Sequence, residues 1–289
     1  INSLASILKE RGYYTAFYHG GTNGTMSFDA FAGLAGFHDY VGRTQYNNEK
    51  DYDGNWGIWD EEFFQYTAKR IDDIKQPFFV TLFSLTSHHP FPLPEKYKSK
   101  FPEGTLPIHK SISYSDYALK KFFETCSKQK WFDSTLFVVT ADHTGLPEGD
   151  FYSNHVGSSA VPLLFYMHNT NLKGKNHITA QHTDILPSVI DFLGVPKNYF
   201  SFGESVFDSA ANHFSLCYSS NLYHFISGEN ILQFDGEKSI ALFNFQKDSL
   251  LKNNILKKET AVKEKMETHL KAIIQSYNHA LINNKMTAE

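Results

Sequence analysis

Side chains able to bind metals and protons follow three apolar runs of the sequence, at the point where each run ends. The first run ends in His19, the second in His88, and the third in Asp142 and His143. If these runs are strands of one α/β sheet, their carboxyl ends meet at the edge where such sheets bind ligands. We therefore expect these side chains, with His155 in the loop after the third run, to line a common pocket.

Asp142 and His143 form the pair most suited to holding a metal ion. Neighbours within a strand point to opposite faces, but the chain leaves the pleat at a strand's last residue, so both side chains can turn toward one point. A carboxylate beside an imidazole suits Zn²⁺ or Mn²⁺. The alternative is that Asp142 caps a turn while His143 lies on the surface. Both interpretations stay open on these residues alone.

Two adjacent histidines, His88 and His89, precede Pro90 at the end of the second run. Pro90 stiffens the exit from the strand, and one imidazole can face the cleft. There it would bind an anionic oxygen or transfer a proton. The alternative is a pair of half-buried polar residues with no part in the chemistry.

A glycine-rich turn follows His19 and contains Gly20, Gly21 and Gly24. Such turns let backbone N–H groups approach an anion, and we predict that Gly21 and Asn23 contact the substrate here. The spacing matches no nucleotide-binding fingerprint. An ordinary tight loop is therefore the alternative.

The pattern of apolar residues predicts the elements that carry these side chains. Helices are predicted over residues 3–10, 27–34, 59–74, 113–130 and 183–194, and strands over 13–19, 78–86, 136–142 and 161–167. The run 78–86 is almost continuously apolar, which is typical of a strand buried on both faces. Alternating strands and helices predict an α/β fold, with a mixed, mostly parallel sheet between layers of helices.

The rhythm of the sequence changes after about Ser201. Four short strand-like runs separated by turn signals predict an antiparallel meander, and a charged helix is predicted over 259–282. We therefore divide the chain into an α/β catalytic domain over 1–207 and a small C-terminal subdomain of β-meander and helix over 208–289.

Composition excludes several classes of protein. With 27 basic and 31 acidic residues the net charge is −4, which argues against a dedicated nucleic-acid binder. Cys126 and Cys217 are too few for a disulfide scaffold or a cysteine-based zinc site. The longest apolar run, from Pro77, is about half the ~20 residues that cross a bilayer. The chain begins with Ile1 and carries no signal-peptide pattern, so we expect it to be a piece of a longer protein.

Six segments in this order resemble the lipoteichoic acid synthase branch of the sulfatase/alkaline phosphatase superfamily. They are SLASILKERGYYTAFYHGG, GIWDEEFF, PFFVTLFSLTSHHPF, ADHTG, VPLLFYMH and TDILPSVIDFLG. The resemblance runs from residue 1 to about 207. It implies an alkaline phosphatase/sulfatase-like fold in the extracytoplasmic catalytic domain of a membrane-anchored enzyme. Members transfer phosphoglycerol or phosphoethanolamine groups, and more distant relatives hydrolyse sulfate or phosphate esters.

The resemblance also implies roles for single residues. Asp142 and His143 match the family's metal-binding pair, and His88 matches its substrate-binding histidine. His155 resembles a histidine near the transferred group in phosphoethanolamine-transferring relatives, and His19 matches the histidine that opens the family's H-G loop. We expect His88 and His155 to act in catalysis as well as in substrate binding.

The chain departs from the family's pattern in two places. After the H-G loop, the synthases have an acidic residue, an aromatic residue and an arginine, whereas this chain has Gly21, Thr25, Met26 and Phe28. This difference leaves the transferred group open. The family's nucleophilic threonine and its glutamate ligand are expected on a segment before Ile1, so we expect weak metal occupancy in this piece alone.

Three functions follow as hypotheses. The first is a phosphoryl-group transferase dependent on Mn²⁺ or Zn²⁺, with Mg²⁺ a further candidate. It would act on a phospholipid head group or an envelope glycan, and not on nucleic acid. The second is a sulfatase or phosphodiesterase of the same superfamily, with water as the acceptor. The third is a relative that binds such ligands without catalysis.

Overall fold

A three-stranded parallel sheet organises the first of the two units into which the chain divides. In this computed structural model, which describes residues 2–196 and 198–288, that unit runs to Phe137 and takes in Phe165–Leu172. Its strands are β1 (Tyr14–His19), β2 (Asp39–Val41) and β3 (Phe78–Phe83), in the order β2-β1-β3. The three strands are parallel, so their carboxyl ends share one edge of the sheet, and β1 ends there at His19.

Helices cover both faces of this sheet. They are α1 (Leu4–Glu10), α2 (Phe28–Leu34), α3 (Arg43–Tyr46), α4 (Asp60–Asp72) and α5 (Ile108–Cys126). Tyr18 of β1 shares a buried cluster with Phe63 of α4. Phe17 points to the opposite face, where its ring lies 6.0 Å from that of Phe28 in α2. The period-2 alternation of a strand thus gives each helical layer its own apolar surface.

The largest core cluster of this unit lies between α4 and α5 and β3. Phe64 and Ile71 of α4 pack with Phe122 of α5 and with Trp131, and alternate residues of β3 close the cluster from the sheet side. The residues of α4 that enter this core, Phe64, Ala68 and Ile71, recur at helical spacing. The apolar residues whose spacing predicted this helix are therefore the same residues that pack it into the core.

The expectation that residues 78–86 form a strand buried on both faces is wrong. The strand ends at Phe83, and all six of its residues are only half-buried. Within the described residues β3 pairs with β1 alone and lies at the edge of its sheet, which leaves part of its surface open. The third run also ends earlier than predicted, since β4 spans Phe137–Thr140. Asp142 therefore lies two residues beyond the strand and not at its last position.

The second unit comprises Val138–Leu164 and the chain from Lys173 onward. Strand β4 pairs with β5 (Leu163–Tyr166), and each of these two strands has residues in both units. The helices α6 (Gly149–Tyr152) and α7 (Ile185–Phe192) belong to the second unit. The predicted meander is present as β6 (Phe214–Ser219), β7 (Leu222–Ser227), β8 (Asn230–Phe234) and β9 (Ser239–Asn244), all antiparallel. The last helix, α8, spans Thr260–Ile282.

The meander and α8 share one apolar core. Phe225, Leu232 and Leu242 from three successive strands pack with Met266 and Leu270 of the helix. The predicted fold class is confirmed: an α/β fold with a helix-covered parallel sheet and a C-terminal antiparallel sheet with a helix. The domain boundary at 207/208 stays a prediction. Among the described helices, none is both long and apolar enough to pass through a bilayer.

Candidate active site

His19 is buried at the carboxyl end of β1, with 2% of its surface exposed. Its ring lies 4.5 Å from the ring of Phe28 and 5.5 Å from that of Phe83. Nδ1 lies 3.0 Å from the hydroxyl oxygen of Tyr40. Two aromatic rings and one hydrogen bond therefore fix this imidazole, and Nε2 is the nitrogen left for a ligand.

Burial keeps His19 uncharged. Desolvation is the larger cause and the charge of His88 the smaller one, and together they lower the pKa of His19 to about 4. Burial, and next the charge of Asp29, raises the pKa of Tyr40 to about 12, so its hydroxyl keeps its proton. A neutral imidazole beside a protonated phenol can bind an oxygen of a substrate, but at neutral pH His19 has no second proton to give.

The glycine-rich turn lies directly against His19. A Cβ atom on Gly21 would lie 2.6 Å from Cε1 of His19, so only glycine fits there without moving the ring. Asn23 has a different environment: its Oδ1 accepts a hydrogen bond from the N–H of Thr44, and its Nδ2 donates to Oε1 of Gln45, both at 3.0 Å. Asn23 therefore fixes the loop to α3, and its contact with substrate stays a prediction.

His88 lies close enough to His19 to influence its pKa. Nδ1 of His88 is 3.0 Å from the carbonyl oxygen of Leu85, which orients the ring. The ring lies 4.8 Å from that of Trp56, whose indole N–H donates to the carbonyl oxygen of His89 at 2.7 Å. The first unit thus brings His19, Gly21 and His88 together.

Asp60, at the first position of α4, anchors the segment that leads to His88. It is 2% exposed, and its Oδ1 accepts hydrogen bonds from the backbone N–H groups of Leu85 at 2.8 Å and Thr86 at 3.2 Å. Its Oδ2 accepts a bond from the hydroxyl of Ser115 at 2.6 Å. Burial raises the pKa of Asp60. In a sequence, an acidic residue at a helix start is a common feature that does not by itself reveal burial.

Asp142 and His143 lie side by side in the second unit, after β4. Oδ1 of Asp142 accepts the backbone N–H of His143 at 2.9 Å, and Nδ1 of His143 lies 2.7 Å from the carbonyl oxygen of Thr144. Nε2 of His143 is 3.4 Å from Oδ2 of Asp142, and the two side chains are 72% and 50% exposed. One nitrogen orients the ring, and the other faces an exposed carboxylate oxygen.

This donor set fits a transition-metal ion. A metal-bound histidine ordinarily gives its second ring nitrogen to a carbonyl or carboxylate, as His143 does with Thr144. Nitrogen and carboxylate oxygen together suit Zn²⁺ or Mn²⁺. Over residues 2–196 and 198–288, no group of three or more His, Cys, Asp and Glu side chains is placed to hold a metal. The pair therefore offers two ligands of a site that needs more.

His155 lies in the loop after α6 and is exposed, with its ring stacked on the buried ring of His224 in β7 at 4.3 Å. The hydroxyl of Thr144 donates to the carbonyl oxygen of Ser158 at 2.7 Å, which ties this loop to the segment of Asp142. A histidine within a strand run looks like any other core residue, so the sequence alone does not reveal this contact of His224. A common pocket for all five predicted side chains stays a prediction.

Comparison with known proteins identifies the family. The sulfatase family model matches residues 1–195, about two thirds of the sequence. The chain therefore belongs to the sulfatase family.

Curated relatives include lipoteichoic acid synthases. Lipoteichoic acid synthase 2 of Bacillus subtilis is 24% identical over 225 residues, which cover 71% of this chain and 34% of the relative. The lipoteichoic acid synthase of Staphylococcus aureus (strain USA300) is 27% identical over 228 residues, 73% of this chain and 35% of the relative. The chain thus spans about a third of the length of these relatives.

Solved structures share the fold. A protein of the alkaline phosphatase superfamily from Vibrio parahaemolyticus has a TM-score of 0.83 at 23% identity, over 99% of this chain and 69% of that one. The lipoteichoic acid synthase LtaP from Listeria monocytogenes has a TM-score of 0.78 at 18% identity, over 100% of this chain and 74% of that one. The predicted alkaline phosphatase/sulfatase-like fold is therefore confirmed, and membership of the sulfatase family indicates an enzyme.

Proposed function

We propose that the protein carrying this chain is a metal-dependent transferase that moves a phosphoglycerol or phosphoethanolamine group onto a lipid or glycan of the cell envelope. The observation that carries the proposal is the arrangement of His143, whose Nδ1 is held by a backbone carbonyl while Nε2 lies beside the carboxylate of Asp142. Membership of the sulfatase family and relatives named as lipoteichoic acid synthases support it.

Asp142 and His143 would hold the metal, with Mn²⁺ and Zn²⁺ the favoured ions and Mg²⁺ a further candidate. A bound divalent cation supplies Lewis-acid chemistry, since it neutralises phosphate charge and lowers the pKa of a coordinated hydroxyl. By resemblance to the family, the nucleophilic threonine and a glutamate ligand would come from outside these residues. The two side chains here would orient the ion through fixed donor atoms.

The histidines of the first unit would hold the transferred group. His19, which is uncharged at neutral pH, would accept the O–H of Tyr40 at Nδ1 and donate one hydrogen bond from Nε2–H to a phosphate oxygen. Gly21 lets that oxygen approach the turn, because no side chain stands between backbone and imidazole. His88, whose Nδ1–H donates to a carbonyl oxygen, would take the proton of the attacking hydroxyl on Nε2 and pass it to the leaving alcohol.

His155 would bind a phosphate oxygen from the second unit, where its ring is exposed to solvent. The substrate would be a phospholipid head group or an envelope glycan, and the net charge of −4 gives no support to a nucleic-acid partner. The resemblance to membrane-anchored synthases leads us to propose an extracytoplasmic position for this part of the protein. Protease added outside intact cells would degrade an epitope placed after Glu289 if that position is right.

Substrate profiling of the whole protein tests the proposal. Phospholipids with phosphoglycerol or phosphoethanolamine head groups are offered with and without a lipid or glycan acceptor, and both diacylglycerol and acceptor products are measured. We expect diacylglycerol to appear with stoichiometric transfer to the acceptor. Release at the same rate without any acceptor would identify a hydrolase. Ligand binding without any product would identify a non-catalytic relative.

A further inference from the structure

His224 is an unusual residue within the meander. It lies in β7, is 3% exposed, and both its ring nitrogens are buried. Within the described residues, neither nitrogen has a protein hydrogen-bond partner of normal geometry. Burying a polar ring without such partners costs free energy, whereas an apolar side chain would fill the same position at no such cost. The position of His224 therefore calls for a reason other than core packing.

The contact that supplies a reason is with His155. The two imidazole rings stack with centroids 4.3 Å apart and 21° between their planes. Burial lowers the pKa of His224, and the charge of His155 lowers it further. The backbone of Ser219 acts weakly in the opposite direction. Across the neighbouring strands the partners of His224 are Cys217 and Gln233, neither of which carries a fixed charge. His224 thus offers His155 an uncharged aromatic face.

The loop of His155 is also fixed on either side of that residue. Oδ1 of Asn154 accepts the N–H groups of Val156 at 2.8 Å and Gly157 at 3.1 Å, while Nδ2 donates to the carbonyl oxygen of Ser249 at 2.7 Å. Val156 is 9% exposed, and a Cβ atom on Gly157 would lie 2.1 Å from the carbonyl oxygen of Phe151. The backbone around His155 is therefore held in place. The side chain could still rotate, and stacking on His224 fixes the orientation of its ring.

We propose that His224 is a positioning residue that holds the ring of His155 in the orientation used to bind the transferred phosphoryl group. The C-terminal meander thereby takes part in the reaction through one imidazole on β7. This inference rests on the proposed function, in which His155 contacts the substrate.

The test compares three variants with the parent protein. His224→Leu removes the aromatic ring and keeps the position apolar, His224→Phe keeps an aromatic face without ring nitrogens, and His155→Ala removes the positioned ring. His279→Ala, at an exposed site of α8, is the matched control. Turnover of the head-group substrate is measured as kcat and KM in the whole protein. Histidine ring resonances of the same protein are recorded by NMR.

We expect His224→Leu to lower kcat by about 10- to 100-fold with little change in KM, because a misdirected group weakens transition-state contacts more than substrate capture. His224→Phe should keep kcat within about threefold, because an aromatic ring can still stack. The upfield shift that the stacked ring imposes on the His155 resonances should disappear in His224→Leu and persist in His224→Phe. The control should match the parent.

Each contrary result has a separate meaning. If His155→Ala is inactive while His224→Leu keeps parental kcat, the positioning role is wrong and the proposed function stands. Equal damage from Leu and Phe, with the His155 resonances unchanged in both, also overturns the positioning role. If His155→Ala is fully active, the role of His155 in the proposed function fails and this inference fails with it. If His224→Leu does not fold, the kcat of His224→Phe decides whether the positioning role stands. A loss of kcat above tenfold in His224→Phe contradicts rescue by stacking and overturns that role.

Discussion

The hydroxyl of Tyr40 lies 3.0 Å from Nδ1 of His19, and both side chains belong to neighbouring parallel strands. This pairing, with the aromatic rings of Phe28 and Phe83 around it, keeps a histidine neutral at the end of a central strand. The imidazole is therefore a hydrogen-bonding group of fixed direction and not a mobile acid. Its lowered pKa has consequences for stability as well as for binding.

Acid should destabilise the first unit through His19. Its pKa is about 4 in the folded protein, against 6.5 for an ordinary histidine, so the unfolded chain binds more protons between these values and stability falls as the pH drops through that window. His19→Gln should remove about 2–3 kcal/mol of this pH dependence between pH 7 and 4. Urea unfolding at several pH values measures it. His89→Gln, an exposed neighbour of the site, should retain the parental slope; a slope unchanged in His19→Gln would contradict the burial argument.

Gly21→Ala should displace the ring of His19, since its Cβ would lie 2.6 Å from Cε1. We expect a loss of stability of about 1–3 kcal/mol and at least a tenfold fall in turnover. Gly33→Ala is the matched control, because a Cβ there meets nothing within 4 Å and the residue lies within α2. It should raise stability by about 0.5 kcal/mol through helix propensity. Equal behaviour of the two variants would show that the turn does not press on His19.

Asp60→Ala should cost about 3 kcal/mol of stability. It leaves the N–H groups of Leu85 and Thr86 and the hydroxyl of Ser115 without their acceptor in a buried site. Asp60→Asn keeps one oxygen for the backbone donors, so about 1 kcal/mol or less should be lost. Thermal unfolding of both variants measures the difference. Only Asp60→Ala should loosen the segment before His88, so turnover should fall more in Asp60→Ala than in Asp60→Asn. Equal losses of stability in the two variants would contradict the anchoring role of Asp60.

His143→Ala should reduce turnover of the whole protein to background, because it removes one of two metal donors. Metal affinity, measured by calorimetry after chelation and readdition of Mn²⁺ or Zn²⁺, should fall in parallel with turnover. His279→Ala, an exposed histidine of the same unit, should change neither quantity. Parental rates in His143→Ala with metal in excess would refute the assignment of this residue.

Much of the fold could be predicted from the sequence, because its signals are local. The strand of His19, the helix of Asp60 and all four strands of the meander follow from apolar spacing, and the structure has them within a few residues. Strand β2, only three residues long at Asp39–Val41, was not predicted, since so short a segment has no measurable period. Its place is fixed by pairing with β1, which is a long-range interaction.

The side-chain environments were the part that local patterns could not supply. Burial of Asp60 depends on Ser115 from another helix, and the stacking of His155 on His224 joins a loop to a distant strand. Such contacts depend on how helices, strands and loops distant in sequence pack together, and the residue types along one segment do not indicate that packing. Neighbours in sequence were easier: Nε2 of His143 lies 3.4 Å from Oδ2 of Asp142, as their adjacency suggested, while their role as metal ligands stays a prediction.

Trp56 makes the environment of His88 visible to fluorescence. Its indole ring lies 4.8 Å from that imidazole, and an imidazolium quenches indole emission far more than the neutral ring does. With three tryptophans in the chain, replacing Trp59 and Trp131 by phenylalanine leaves a single emitter beside His88. Its intensity would then follow, in real time and without an attached dye, any proton or anion that arrives at this histidine.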